Sequence, residues 1–219
     1  MKNIGQSWFG VAVGSAALVG AVCQASAASL VLTPGNFGPM PTDLSSGPAG
    51  FIAFNASPNV QDAAPTQNFT AQVDSAVTVG NTYGASALTF WYRVTNVADP
   101  ATGNSGLVGL SVPQPSGGAP SVALNQTGGT LAASSFGTLT PGGAVVTFGW
   151  VNNPVPKGNN SSWLRVETPF TQYQLNLVGV QDGTVVQVPA LVPVPEPATY
   201  GALFGLGLAG FAAFRRFRA

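Results

Sequence analysis

The sequence contains no histidine. That removes the commonest general base and the commonest metal ligand together. It contains one cysteine, Cys23. Cys23 falls in a segment expected to be cut away, so the mature chain has no disulfide and no thiol nucleophile. Charge is scarce as well: charged residues make up 6% of the chain, against about 25% in ordinary soluble domains. Seven basic residues balance seven acidic ones, and without a basic excess nothing points to nucleic acid. A Ser-His-Asp triad and a thiolate zinc site are both excluded by composition.

What is abundant is glycine, 28 residues, and proline, 18. Both favour many turns and short strands over long helices. The few charges are unevenly placed. Lys2 stands near the N-terminus and Arg215, Arg216 and Arg218 near the C-terminus. Between them lie Arg93, Lys157 and Arg165 with seven acidic residues. A basic tail beside an apolar run is a topology signal.

The N-terminal region has the layout of a secretory signal peptide. Lys2 is followed by an uncharged, mostly apolar stretch from Trp8 to Val22 and by Ala25-Ser26-Ala27, a small-x-small cleavage pattern. Cleavage is expected after Ala27. Lipid modification at Cys23 is the alternative, and Val22 in front of it departs from the small residue such signals carry. An uncleaved membrane helix is the other alternative, for which the apolar run is short.

The C-terminal region has three parts. Prolines at 189, 193, 195 and 197 favour an extended, exposed segment that an enzyme can grip. Ala198 to Phe214 follows, seventeen residues without a charge, which as a helix span about 26 Å, enough for the bilayer's hydrocarbon core. Arg215, Arg216 and Arg218 then favour the cytoplasmic side and place the preceding domain outside. This order resembles the PEP-CTERM sorting signal of Gram-negative bacteria. The resemblance rests on Val194-Pro195-Glu196-Pro197-Ala198, the Gly/Leu/Phe-rich run from Tyr200 to Phe214 and the arginine cluster, about 26 residues in all. It implies recognition by an exosortase, with Pro195, Glu196 and Pro197 as the recognised residues and the acting cysteine on the partner enzyme. It also implies an association with exopolysaccharide and biofilm. A plain C-terminal anchor with a proline-rich stalk shares the topology without the processing.

The middle of the chain alternates with period two. Phe69, Val73, Val77 and Val79 alternate with Thr70, Gln72, Asp74 and Thr78; Leu88, Phe90, Tyr92 and Val94 alternate with Thr89, Arg93 and Thr95. Tyr173, Leu175 and Leu177 alternate with Gln174 and Asn176. Such patterns predict half-buried strands. Ala144–Val151 and Trp163–Val166 read as further strands, and Asp182-Gly183 predicts a two-residue hairpin turn. Thr33 to Ala49 is poor in strand formers and reads as loop. No run of helical period lies between the termini. The expected fold is all-β, an antiparallel β-sandwich or jelly roll, with a signal peptide at 1–27, a β domain at 28–190 and the sorting signal at 191–219. A domain of roughly 165 residues buries about 68–70% of its unfolded surface, enough for a core without disulfide staples.

The domain offers little for catalysis. Lys157 sits in a turn-like Pro-Lys-Gly-Asn segment. Glu167 is the only glutamate of the domain; a glycoside hydrolase would need it with a second carboxylate. Beside Arg165 and Trp163 it reads instead as half of a surface ion pair. No calcium-loop pattern, metal site or cofactor motif is present. Trp91 and Trp163 stand opposite the main apolar faces of their strands and are the candidate glycan contacts. Trp150 shares parity with Val146 and Phe148 and reads as core. The expectation is a non-enzymatic protein, exported to the cell envelope or matrix. Before processing its C-terminal helix would lie in the inner membrane. A carbohydrate-binding module is the alternative and a secreted glycosidase the least favoured reading.

Overall fold

The structure, a computed structural model, describes residues 29–44, 47–62, 69–98, 106–115, 121–127, 136–150 and 153–194, with 205–208, 211 and 214 near the C-terminus. The expected signal peptide, with Ala25 and Ala27, lies outside them. So do Pro195, Glu196, Pro197 and the three terminal arginines. Among the described residues no helix is long and apolar enough to cross a membrane.

The described residues form two largely antiparallel sheets. The first runs in the order β1 (Leu30–Leu32), β9 (Val122–Thr127), β12 (Leu164–Glu167), β7 (Gly84–Ala98), β6 (Thr70–Asn81), β4 (Ala53–Ala56), with β3 (Thr42–Leu44) and β5 (Val60–Gln61) attached to β9 and β6. The second runs β14 (Thr184–Val194), β13 (Gln172–Asp182), β8 (Gly109–Pro113), β11 (Val145–Gly149), β10 (Phe136–Leu139), β2 (Phe37–Pro39). Among the described strands only β3 pairs in parallel, at the end of β9. The stretch expected to be loop, Thr33 to Ala49, thus contains two three-residue strands, too short to leave a period in the sequence.

The two sheets share one buried apolar cluster. From the first come Val73, Val77, Leu88, Phe90, Tyr92, Val94, Leu124, Leu164 and Val166. From the second come Leu110, Val112, Val146, Phe148, Val178, Val180, Val186 and Val188. The alternation in β6 and β7 sets their inner faces as expected except at Val79, which is 51% exposed, and Trp150 is fully buried. At the β9/β10 end the sheets approach so closely that Gly137 of β10 lies against Leu124 of β9, and a Cβ there would collide with the leucine.

The β6–β7 hairpin is longer than its periodic segments, with Asn81 paired to Gly84 across Thr82-Tyr83. Asn81 holds the turn: its side-chain oxygen accepts from Tyr83 N at 2.8 Å and its nitrogen donates to Leu88 O and Thr168 O.

The β13–β14 hairpin differs from expectation in two ways. Its turn centres on the single residue Gly183, at φ 72°, because Asp182 pairs directly with Thr184. And Tyr173, Leu175 and Leu177 do not face the core. The even residues Val178 and Val180 point inward at the turn half of the strand. Strict alternation then sends every odd residue outward. Tyr173, Leu175 and Leu177 are 38%, 57% and 50% exposed.

Candidate functional site

Two regions carry the sequence's functional signals: the face of the first sheet turned away from the core, and the point where the chain leaves the fold for its tail.

On the outer face, β7 and β12 pair with Trp91 opposite Arg165. Antiparallel register carries Trp163 opposite Arg93. The segment Trp-x-Arg occurs on both strands, and running the two in opposite directions lays each arginine on the other strand's indole. The Arg93 guanidinium carbon lies 4.8 Å from the centre of Trp163 and that of Arg165 lies 5.6 Å from the centre of Trp91. Both are within cation–π range. Carboxylates close the pattern at each end. Arg93 donates to Asp74 of β6 through Nη2 at 2.6 Å and Nε at 3.2 Å. Arg165 forms an ion pair with Glu167.

The pairing of Arg165 with Glu167 is as expected, but its place is not: it is buried. The two side chains are 11% and 1% exposed. The β6–β7 hairpin tip folds over Glu167, and its Oε2 accepts from Thr82 N at 3.0 Å and from the Thr82 hydroxyl at 2.5 Å. Tyr83 stands beside this cluster with its hydroxyl 3.0 Å from Ser121 Oγ. Burial pushes the Tyr83 phenol above its usual value; the Ser121 bond lowers it and the Glu167 charge raises it further.

Trp91 and Trp163 are therefore neighbours on one face, yet they do not form an open platform. Trp91 is 5% exposed, with Arg165 over its ring and its indole N–H donating to Thr78 Oγ1 at 3.2 Å. Trp163 is half-buried. Gly47, on the chain passing from β3 to β4, lies so close that a Cβ there would stand 2.6 Å from Trp163 Cδ1 and Nε1. In this arrangement a sugar ring has no free face of Trp91 to stack on. Lys157 is exposed in the turn Pro156 to Asn159, where Gly158 has φ 77°. No group of three or more metal-binding acidic, His or Cys side chains occurs among the described residues.

The tail begins at the end of β14. That strand continues to Val194, still paired with Gln172, so the fold reaches the residue before Pro195. Pro189 and Pro193 lie within the strand, which their lack of an N–H would ordinarily forbid in a sheet interior. The strand tolerates them because its odd residues direct their backbone groups away from β13. The Leu191 N–H donates to Ser75 Oγ at 2.9 Å, the Leu191 carbonyl accepts from the Tyr92 hydroxyl at 2.8 Å, and the Pro189 carbonyl accepts from Asn55 Nδ2 at 3.1 Å. The prolines thus cost no rung of the ladder, and β14 is fastened to the first sheet by three side chains. Of the tail beyond, residues 205–208, 211 and 214 are helical and exposed.

The Asp74–Arg93 pair, the Thr82 clamp and the Gly47 contact were not among the residues singled out from the sequence. The repeated Trp-x-Arg was the available signal for the first.

Among known proteins, residues 193–216 match the family model of the PEP-CTERM protein-sorting motif. No curated protein and no solved structure matches the chain. The first two matched residues, Pro193 and Val194, are the last of β14. The match covers the tail and not the two-sheet domain. The chain carries, at its C-terminus, a PEP-CTERM protein-sorting motif, the mark of an exported, envelope-associated protein recognised by an exosortase.

Proposed function

We propose that this chain is an exported, non-catalytic β-sandwich protein, displayed at the envelope or released into the extracellular matrix after its sorting tail is processed, with a structural role among exopolysaccharide and biofilm components. The observation that carries this reading is the tail itself: a sorting motif at 193–216 whose first two residues are the last of β14. In this reading the apolar run holds the chain in the inner membrane, with the domain outside, until the exosortase acts. The lack of histidine and of a mature cysteine supports a non-enzymatic role. So does Glu167, whose carboxylate is engaged by Arg165 and Thr82. A carbohydrate-binding role would rest on Trp163, and it is the weaker reading because Arg93 and Gly47 already lie against that indole.

The test is fractionation of the native cells carrying Glu196→Ala or a chain ending at Pro197. The reading expects Glu196→Ala to hold unprocessed chain in the membrane fraction, and the truncated chain to be exported without a membrane stage. Normal processing of Glu196→Ala would count against recognition through this motif. Glycan retention lost on Trp163→Ala would favour the carbohydrate-binding reading.

A further inference from the structure

The two edges of the β13–β14 hairpin are treated differently. The outer edge of β14 is closed by Pro189 and Pro193 and by the side chains of Ser75, Tyr92 and Asn55. The outer edge of β13 is closed over three residues only, where Gly179 to Gln181 pair with β8. From Gln172 to Leu177 no described strand other than β14 pairs with β13.

Among the described residues this open edge has none of the devices that ordinarily protect one. It carries no charge, no proline and no bulge, and its side chains are exposed on both faces. Backbone polarity follows from the bonds already present. The Gln181 carbonyl accepts from Val108 N of β8 at 2.8 Å. In an antiparallel ladder alternate residues direct their N–H and C=O to the same side. Leu177, Leu175 and Tyr173 therefore point theirs to the open edge. In agreement, the Leu177 N–H is held at 2.8 Å by the side chain of its neighbour Asn176, which an incoming strand could replace.

We infer that this edge pairs with the same edge of a second copy of the chain, antiparallel about a two-fold axis. The sequence Gln172-Tyr-Gln-Leu-Asn-Leu177 is self-complementary in that arrangement. A register setting odd residues against odd, such as Leu175 against Leu175 of the partner subunit, meets two conditions at once. It brings outward-pointing backbone groups together in hydrogen-bonded pairs, and it sets Tyr173 and Leu177 on one common face with Gln174 and Asn176 on the other. A register slipped by one residue fails both. The two-fold closes on itself, so it gives a dimer and leaves no β13 edge for further growth. The exposed Val185, on the same side of the hairpin, extends the apolar strip next to it.

The experiment is sedimentation of the purified full chain in a mild detergent over a concentration series, with backbone amide exchange measured in parallel. A two-fold rise in sedimenting protein mass with concentration is expected, with the amides of Tyr173 and Leu175 gaining protection as it occurs. Leu175→Lys, and independently Tyr173→Lys, are expected to hold the chain at monomer mass with an unchanged circular dichroism spectrum. Val31→Lys, at an exposed position of the first sheet, is expected to leave the dimer intact. A wild-type chain monomeric at every concentration overturns the inference. So does a dimer that survives both β13 lysines, or one that forms with no change at the β13 amides.

Discussion

At the residue scale the outer face of the first sheet is held by charge placed against aromatic rings and then covered. Arg165 is the centre of this arrangement, with Trp91 on one side and Glu167 on the other, and little of it reaches solvent. A buried pair adds little net stability, but removing one partner leaves an uncompensated charge. Arg165→Met is therefore expected to lower the unfolding free energy by about 3–5 kcal/mol, read from urea denaturation, and the double variant Arg165→Met/Glu167→Leu to lose less than Arg165→Met alone. Tyr92 gives a pH signature of its own. Its hydroxyl donates to the Leu191 carbonyl, and full burial raises its pKa well above the usual 10.0. The raised folded value means its contribution is complete below the unfolded pKa and is lost as pH climbs above it toward the folded one. Tyr92→Phe should lower stability by about 1–3 kcal/mol at neutral pH, since it leaves a buried carbonyl unpaired. It should also flatten the fall in stability above pH ~10. The aromatic and cationic partners were legible as two Trp-x-Arg segments, but which strand pairs with which is a long-range fact. The surface reading of Glu167 failed for that reason: the cover comes from Thr82, 85 residues away in sequence.

At the element scale, alternation identified the strands well and their orientation less well. β6 and β7 turn their apolar face inward because it is also the face toward the second sheet. The same pattern in Tyr173, Leu175 and Leu177 marks an outward face, because periodicity gives a strand's two sides and not which of them meets the core. The inward side of β13 is set by Val178 and Val180, which continue the strand with the opposite parity. Prolines 189 and 193 misled in a similar way. They suggested an extended, exposed segment, and they occupy paired positions of β14 where an N–H is not needed for pairing with β13. The contact between Gly137 and Leu124 limits what the sheets tolerate at their closest approach. Gly137→Val is expected to destabilise the fold by about 1–3 kcal/mol through overpacking. Pairing the change with Leu124→Ala should recover part of that loss; no recovery would show that the strain lies elsewhere.

At the scale of the whole molecule, the tail was the most legible part of the sequence, because its signal is local: a short motif, an apolar run and a basic end, in order. The two-sheet domain has no comparable local signature, and its closed outer face offers no open aromatic platform at Trp91. Strand β14 runs to Val194, so the last described residue of the fold immediately precedes Pro195, the first residue of the recognised triplet. The most direct test is the intact mass of the mature protein from its native cells, with both terminal peptides sequenced. The account predicts a chain that begins near Ala28 and ends near Pro195 to Pro197. Mature envelope protein that still carries Tyr200 to Ala219 would contradict it and make the tail a permanent anchor.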